Sequence, residues 1–129
     1  MRMANVIDHV DIVVRDLPAS KEFYEAALEP LGFALVNEDA DAVGFGTEKN
    51  DDFWIRQGPQ PMADRTTGIH LAFVATSNGA VDRFFEGAMA HGGREDKAPG
   101  FRSEFHPGYY AAFLWDADGN HIEAVNHNR

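Results

Sequence analysis

Two histidines and a glutamate carry the chemistry most visible in this 129-residue chain: His9 in "VIDHVDIVV", His70 in "GIHLAFVA" and Glu123 in "DADGNHIEAV". Two imidazoles and a carboxylate make a mixed nitrogen and oxygen donor set that leaves coordination positions for water or substrate. Such a set suits Zn, Fe, Mn or Ni as a divalent ion. An open site of this kind polarises a substrate oxygen or activates dioxygen. A lone histidine on a strand is more often structural, so everything depends on whether the fold brings the three side chains together.

Their spacing supplies that argument. Placing His70 beneath His9, an offset of 61, aligns the two halves of the chain without a gap. Val13 then meets Val74, Phe23 meets Phe84, Glu25 meets Glu86, Ala27 meets Ala88 and Gly32 meets Gly93. Any strand and helix pair shares apolar spacing, but agreement at His, Glu and Gly goes further and marks an internal repeat. The expected architecture is α+β: two βαβββ modules, about 5–58 and about 68–127, in a single domain over residues 1–129. His9 and His70 hold the same place on the first strand of each module. A pseudo-two-fold between the modules would bring them together across the cleft, with Glu123 on a neighbouring strand.

The elements that position these residues can be read in turn. "VIDHVDIVV" puts Val10, Ile12 and Val14 on one strand face and His9, Asp11 and Val13 on the other. "DLPASKEFYEAALEPLGF" reads as a helix capped by Asp16 or Ser20, with Phe23, Ala27 and Leu28 as its apolar stripe and Pro30 and Gly32 as its stop. Strands are expected at 33–37, 42–46 and 52–57, and in the second half near 93–96, 109–115 and 121–126. "GPQPMADRTTG" reads as a linker that halves the chain. The segment from Arg94 to Gly108 is punctuated by Pro99, Gly100, Pro107 and Gly108 and reads as a long loop bordering the site. Arg102 and His106 are its candidate contacts to an anionic or oxygen-rich ligand.

"DADGNHIEAV" resembles a calcium loop only in composition. Gly119 comes too early, His121 stands where the loop glycine belongs, and position 127 is His where Glu is required. Asp118-Gly119 instead reads as a hairpin turn, because Gly tolerates positive φ. Beyond the turn, alternation sends Ile122 and Ala124 toward the helices and His121, Glu123 and Val125 to the opposite face. A carboxylate among apolar neighbours is costly unless partnered.

Composition sets the outer limits. The chain has 21 Asp and Glu against 11 Lys and Arg, a formal charge of −10, which disfavours nucleic acid and anionic membrane as partners. The absence of cysteine excludes disulfides, thiolate metal sites and thiol nucleophiles. No signal-peptide pattern or long apolar run is present, and a cytoplasmic location is expected. Ser20, Ser77 and Ser103 lie at cap or loop positions, which gives no support to a serine triad.

At this point the residues resemble a known family. "IDHVDIVVRDLPASKEFYEAALEPLGF", "GIHLAFVA" and "FLWDADGNHIEAV" are similar to the strand-one, strand-five and C-terminal hairpin motifs of the vicinal oxygen chelate superfamily. That superfamily includes glyoxalase I, bleomycin-resistance proteins, fosfomycin-resistance thiol transferases and extradiol dioxygenases. The resemblance covers nearly the whole chain and is strongest to a glyoxalase-like branch without an assigned substrate. It implies paired βαβββ modules whose sheets curl into a metal-lined cup, with His9, His70 and Glu123 as metal ligands and Glu123 as the catalytic carboxylate. It also implies a homodimer, and lyase, isomerase or dioxygenase chemistry on a small substrate with vicinal oxygens. The alternative it carries is a metal-independent, small-molecule sequestering protein of the bleomycin-resistance type. His121, Arg102, His106, Tyr109 and Trp54 are the candidate substrate contacts, although the aromatic ones also suit core or cup wall. Asp11, on the face of His9, is a candidate second carboxylate. One departure stands out: glyoxalase I has a further Glu on the last strand of its first module, where this chain has "DDFWIRQG". A four-ligand site is therefore not expected, nor is turnover of the hemithioacetal of methylglyoxal and glutathione.

Overall fold

The computed structural model of the chain describes residues 6–48, 50–59 and 67–129, so the centre of the linker lies outside the described residues. In order, the elements are β1 (Val10–Val14), α1 (Leu17–Leu28), β2 (Ala34–Glu38), β3 (Ala42–Thr47) and β4 (Asn50–Gln57), then β5 (His70–Val74), α2 (Asn78–Ala90), β6 (Arg94–Phe101), β7 (Tyr110–Trp115) and β8 (His121–Asn126). This is the expected tandem of βαβββ modules.

Both helices begin on the repeat. Asp16 accepts from the Ala19 amide to cap α1, and Ser77, 61 positions later, accepts from the Ala80 amide to cap α2. The residue type differs, but the orphan N–H at the helix start is satisfied the same way. Past α1 a short 3₁₀ turn, Glu29–Leu31, runs into Gly32 at φ 88°, a left-handed position that only glycine adopts without strain.

Each module builds its own four-stranded mixed sheet, in the orders β1-β4-β3-β2 and β5-β8-β7-β6. The first strand of each module is parallel to the last, and the remaining pairs are antiparallel. One core joins the modules. Ile12, Tyr24, Leu28, Val81, Phe84, Leu114 and Ile122 all belong to it, and each large side chain so buried contributes about 1.5–3 kcal/mol. The helices touch backbone to backbone: a Cβ on Gly87 would lie 2.4 Å from the Ala26 carbonyl oxygen. Phe73 of β5 meets Phe53 of β4 with ring centroids 5.2 Å apart.

Two expectations are corrected here. The sheets pack through their helices and stay separate, so they do not close into one cup; β1 and β5 each remain an edge strand. Also, the strand expected near 93–96 runs on to Phe101, through the first part of the segment read as a loop. Register shifts between Glu95 and Lys97 and between Lys97 and Gly100 allow Pro99 and Gly100 to sit in an edge strand.

The β7–β8 turn is held by a buried carboxylate. Asp116 accepts from the amides of Asp118 and Asn120 at 2.9 Å each, from Asn120 Nδ2 at 2.8 Å and from the Tyr24 hydroxyl at 2.5 Å. Asp118 accepts from the Arg15 amide at 2.9 Å, and Gly119 takes φ 84°. The aspartates of "DADGN" therefore fasten the hairpin that carries Glu123 to α1 and to the end of β1. Among the described residues no helix is long and apolar enough to cross a membrane.

Candidate metal centre

On β8 the alternation is as expected. Ile122 and Ala124 enter the core under the helices, while Val125 joins Ala111, Phe113 and Tyr109 in a second apolar cluster on the other face. Glu123 shares that outer face yet is only 2% exposed. Both its oxygens are engaged: His70 Nε2 lies 2.8 Å from Oε1, and the Tyr109 hydroxyl donates to Oε2. Burial, and then the hydrogen bond to Glu123, push the Tyr109 phenol well above its ordinary value. Left unpartnered, a carboxylate at this depth would cost several kcal/mol, on the order of the whole stability margin.

The parallel β5–β8 register sets His70 beside His121 and Ala72 beside Glu123. From Glu123 a line of contacts runs across the sheet: His70 Nδ1 is 2.8 Å from His121 Nδ1, and His121 Nε2 is 2.8 Å from Asp96 Oδ2. Phe113 stacks against both imidazoles, at 6.2 Å from His70 and 5.8 Å from His121. Trp115 lies 5.0 Å from His121. Asp96 is not a candidate from sequence, because its side chain is re-aimed by a break in the β6–β7 register that the residues themselves do not announce.

The other candidates divide. Tyr109 is in the site. His106 reaches it indirectly: its Nε2 is 2.8 Å from His127 Nδ1, and its ring stands edge-on to Tyr109. Arg102 folds back on its own strand end, donating to the Ala98 carbonyl at 2.6 Å. His9 is exposed, one residue before β1. Its Nδ1 sits 2.7 Å from Asp8, and the hydrogen bond to that carboxylate raises its pKa. With Asp11, Asp39, Asp51, Trp54 and Arg56 it borders an open depression on the first sheet; Arg56 reaches Asp11 at 3.3 Å. Within one chain the structure thus brings His70 and Glu123 together and leaves His9 apart. Among the described residues no three His, Asp or Glu side chains gather around one metal position.

The repeat also shows what replaces a second glutamate. Glu123 lies beside Ala72, and 61 positions before Ala72 is Asp11, whose register partner on β4 is Trp54. Trp54 holds the place in module one that Glu123 holds in module two. Its indole lies flat over Gly44, where a Cβ would come within 2.7 Å of the ring.

A divalent metal is the group that the resemblance implies, and part of a donor set for one is present. A buried carboxylate oxygen and an imidazole nitrogen converge on a face otherwise lined by aromatic rings, and both suit borderline cations. One chain supplies two of the three expected donors.

Comparisons with known proteins bear on the family and the fold. The chain resembles a glyoxalase/bleomycin resistance protein from Albidiferax ferrireducens T118 at 31% identity, with a TM-score of 0.82 over 95% of this chain and 99% of that one. It is 30% identical to the uncharacterized protein YqjT of Bacillus subtilis (strain 168), covering 91% of this chain and 95% of that protein. A likeness of fold alone extends to the fosfomycin resistance protein FosX of Mesorhizobium loti, at 20% identity and TM-score 0.66 over 96% of this chain and 93% of that one. Residues 6–124 match the family model, and with its two βαβββ modules the chain belongs to the Glyoxalase/Bleomycin resistance protein/Dioxygenase superfamily.

Proposed function

We propose that the protein is a divalent-metal-dependent enzyme acting on a small substrate with vicinal oxygens, its metal held by His70 and Glu123 of one copy and His9 of a second copy. The observation that carries this reading is the contact of His70 Nε2 with Glu123 Oε1 at 2.8 Å, around a carboxylate that is almost wholly buried. Homodimer formation is supported by the edge strands β1 and β5, the ones that neighbour His9 and carry His70. Val13 and Val74, which share strand faces with His9 and His70, leave apolar surface in water, Val74 at 60% exposure. A second copy that covers these edges can carry His9 to the Glu123 face.

Bound there, a Zn, Fe, Mn or Ni ion would supply Lewis-acid polarisation of two adjacent substrate oxygens. The protein's own groups do the rest. Phe113, buried and paired with Glu123 across β7 and β8, helps keep water from the carboxylate. Glu123 holds or releases a proton at its carboxylate, steadied by the Tyr109 hydroxyl. Lyase, isomerase and dioxygenase chemistry all fit this arrangement.

The aromatic character of the face, with Trp54 in the place of a second glutamate, also favours a second reading: sequestration of a planar ligand without metal. Metal analysis of protein purified without chelator separates the two. The enzyme reading expects about one divalent ion per chain, lost in Glu123→Ala. Fully metal-free protein that still binds its ligand would establish the sequestering role instead.

A further inference from the structure

We propose that the substrate carries a carboxylate, bound by Arg94 and Lys97 on the second sheet; the place of its vicinal oxygens, at His70 and Glu123, rests on the metal-site reading above. Three residues apart on a regular strand, two side chains point to opposite faces of the sheet. On β6 the register against β7 shifts between Glu95 and Lys97, so that Arg94 pairs with Trp115 and Lys97 with Phe113. The extra residue turns both cations onto one face. Their contacts agree: the Arg94 guanidinium carbon lies 5.1 Å from the Trp115 ring centre, and Lys97 Nζ lies 5.6 Å from that of Phe113. Glu95 pairs with Leu114, a core residue, and so stands on the other face.

The register continues across the sheet. Lys97, Phe113, Glu123 and Ala72 form one row, and Arg94, Trp115, His121 and His70 form the next. In each row a cation leans over a ring of β7, the strand beside the one that holds His121 and Glu123. Neighbouring strands lie about 4.8 Å apart, so a ligand the length of a substituted benzene ring reaches from the His70 and Glu123 pair to these cations. No ion pair among the described residues uses either one. Asp96, which also faces this side, is engaged by His121 Nε2 at 2.8 Å. Attraction to a ring acts through the charge and leaves the N–H donors for an anion. The guanidinium fork matches the two oxygens of a carboxylate. A chain of net charge −10 repels anions at large, so their capture needs cations gathered at one place. Arg102, expected from the sequence to make such a contact, is turned back on Ala98. The first module has no counterpart, because the 61-residue offset matches Phe33 to Arg94 and Val36 to Lys97.

The test uses the full-length protein and its double variant Arg94→Gln with Lys97→Gln. Metal-free protein at low salt is titrated with benzoate and with benzamide, a neutral molecule of nearly the same shape. Proton–nitrogen NMR of the Trp115 indole and the Arg94 side chain reads binding at this face. Benzoate should bind about three- to tenfold more tightly than benzamide, as two exposed ion pairs allow. That preference should fade with added salt and vanish in the double variant. On zinc-loaded protein, calorimetry should show the same preference for 3,4-dihydroxybenzoate over catechol. Benzoate no tighter than benzamide in the wild type, a preference kept by the double variant, or zinc-loaded protein that binds both diols alike would overturn the proposal. Should the wild type take up no zinc at all, the metal reading fails, while the benzoate titration still decides the carboxylate site.

Discussion

Removing Asp116 is expected to cost more than any other single polar substitution outside the candidate metal centre. Its carboxylate, 7% exposed, accepts from the Tyr24 hydroxyl, two turn amides and the Asn120 side chain. Tyr24 and Asn120 are themselves buried, so Asp116→Ala strands donors that water does not readily reach. Each costs about 1–3 kcal/mol when left unpaired. With the turn amides partly rehydrated, a total of about 3–5 kcal/mol is expected. That is a large share of the roughly 5–15 kcal/mol typical of a domain, and urea titration would show it as a clear fall in midpoint. Tyr24→Phe removes a single bond to a charged acceptor and should cost about 1.5–3 kcal/mol. Burial first, then the Asp116 charge, push the Tyr24 phenol well above its ordinary value of 10.0. Its contribution is therefore complete below about pH 10, where the unfolded phenol is still neutral, and is lost as pH rises further. The gap between wild type and Tyr24→Phe should narrow by about 1 kcal/mol from pH 10 to 11, where the unfolded phenol goes from half to almost fully ionised. An Asp116→Ala protein within about 1 kcal/mol of wild type at pH 7, or a gap that stays constant to pH 11, would rule out this role for the Asp116 and Tyr24 pair.

Three further outcomes are expected. Gly87→Ala would set a Cβ 2.4 Å from a carbonyl oxygen of α1; the roughly 1 kcal/mol of helix propensity gained is outweighed, and thermal unfolding should show a net loss of about 1–3 kcal/mol. Glu123→Gln should bind zinc more than about 100-fold more weakly by calorimetry, since loss of a ligand exceeds the loss of an outer partner; unchanged affinity would remove Glu123 from the site. With Trp54 where a fourth ligand would stand, zinc- or nickel-loaded protein should convert the methylglyoxal–glutathione hemithioacetal negligibly, and efficient turnover that disappears in Glu123→Gln would contradict this.

Much of this was legible in the sequence because the chain says it twice. The 61-residue offset placed both helices and both first strands, and period-two alternation placed Ile122 and Ala124 inside and Glu123 opposite. The Asp118-Gly119 hairpin followed from turn chemistry alone. What escaped was set by tertiary packing. Pro99 and Gly100 argue against a strand, and only edge position and bulging make β6 possible; Asp96, and with it the contact to His121, was hidden by that bulge. The separation of His9 from His70 was equally invisible. A repeat specifies that two modules are alike, not whether they meet along their edge strands or through their helices, and here the contact of α1 with α2 at Gly87 takes the second course. Arg102 turned back on Ala98 for a local reason, a carbonyl four residues earlier within reach of its guanidinium.

Sharing of the metal site between two copies can be read from a mixture of two defective chains. One chain carries His9→Ala; the other carries His70→Ala and Glu123→Ala but keeps His9. Co-expressed with different affinity tags and purified as the mixed dimer, they leave one complete site if His9 acts across the interface, and none if each chain builds its own. A shared site should give about one tightly bound divalent ion per mixed dimer and essentially none in either defective homodimer. A mixed dimer that holds no more metal than the defective homodimers would contradict it.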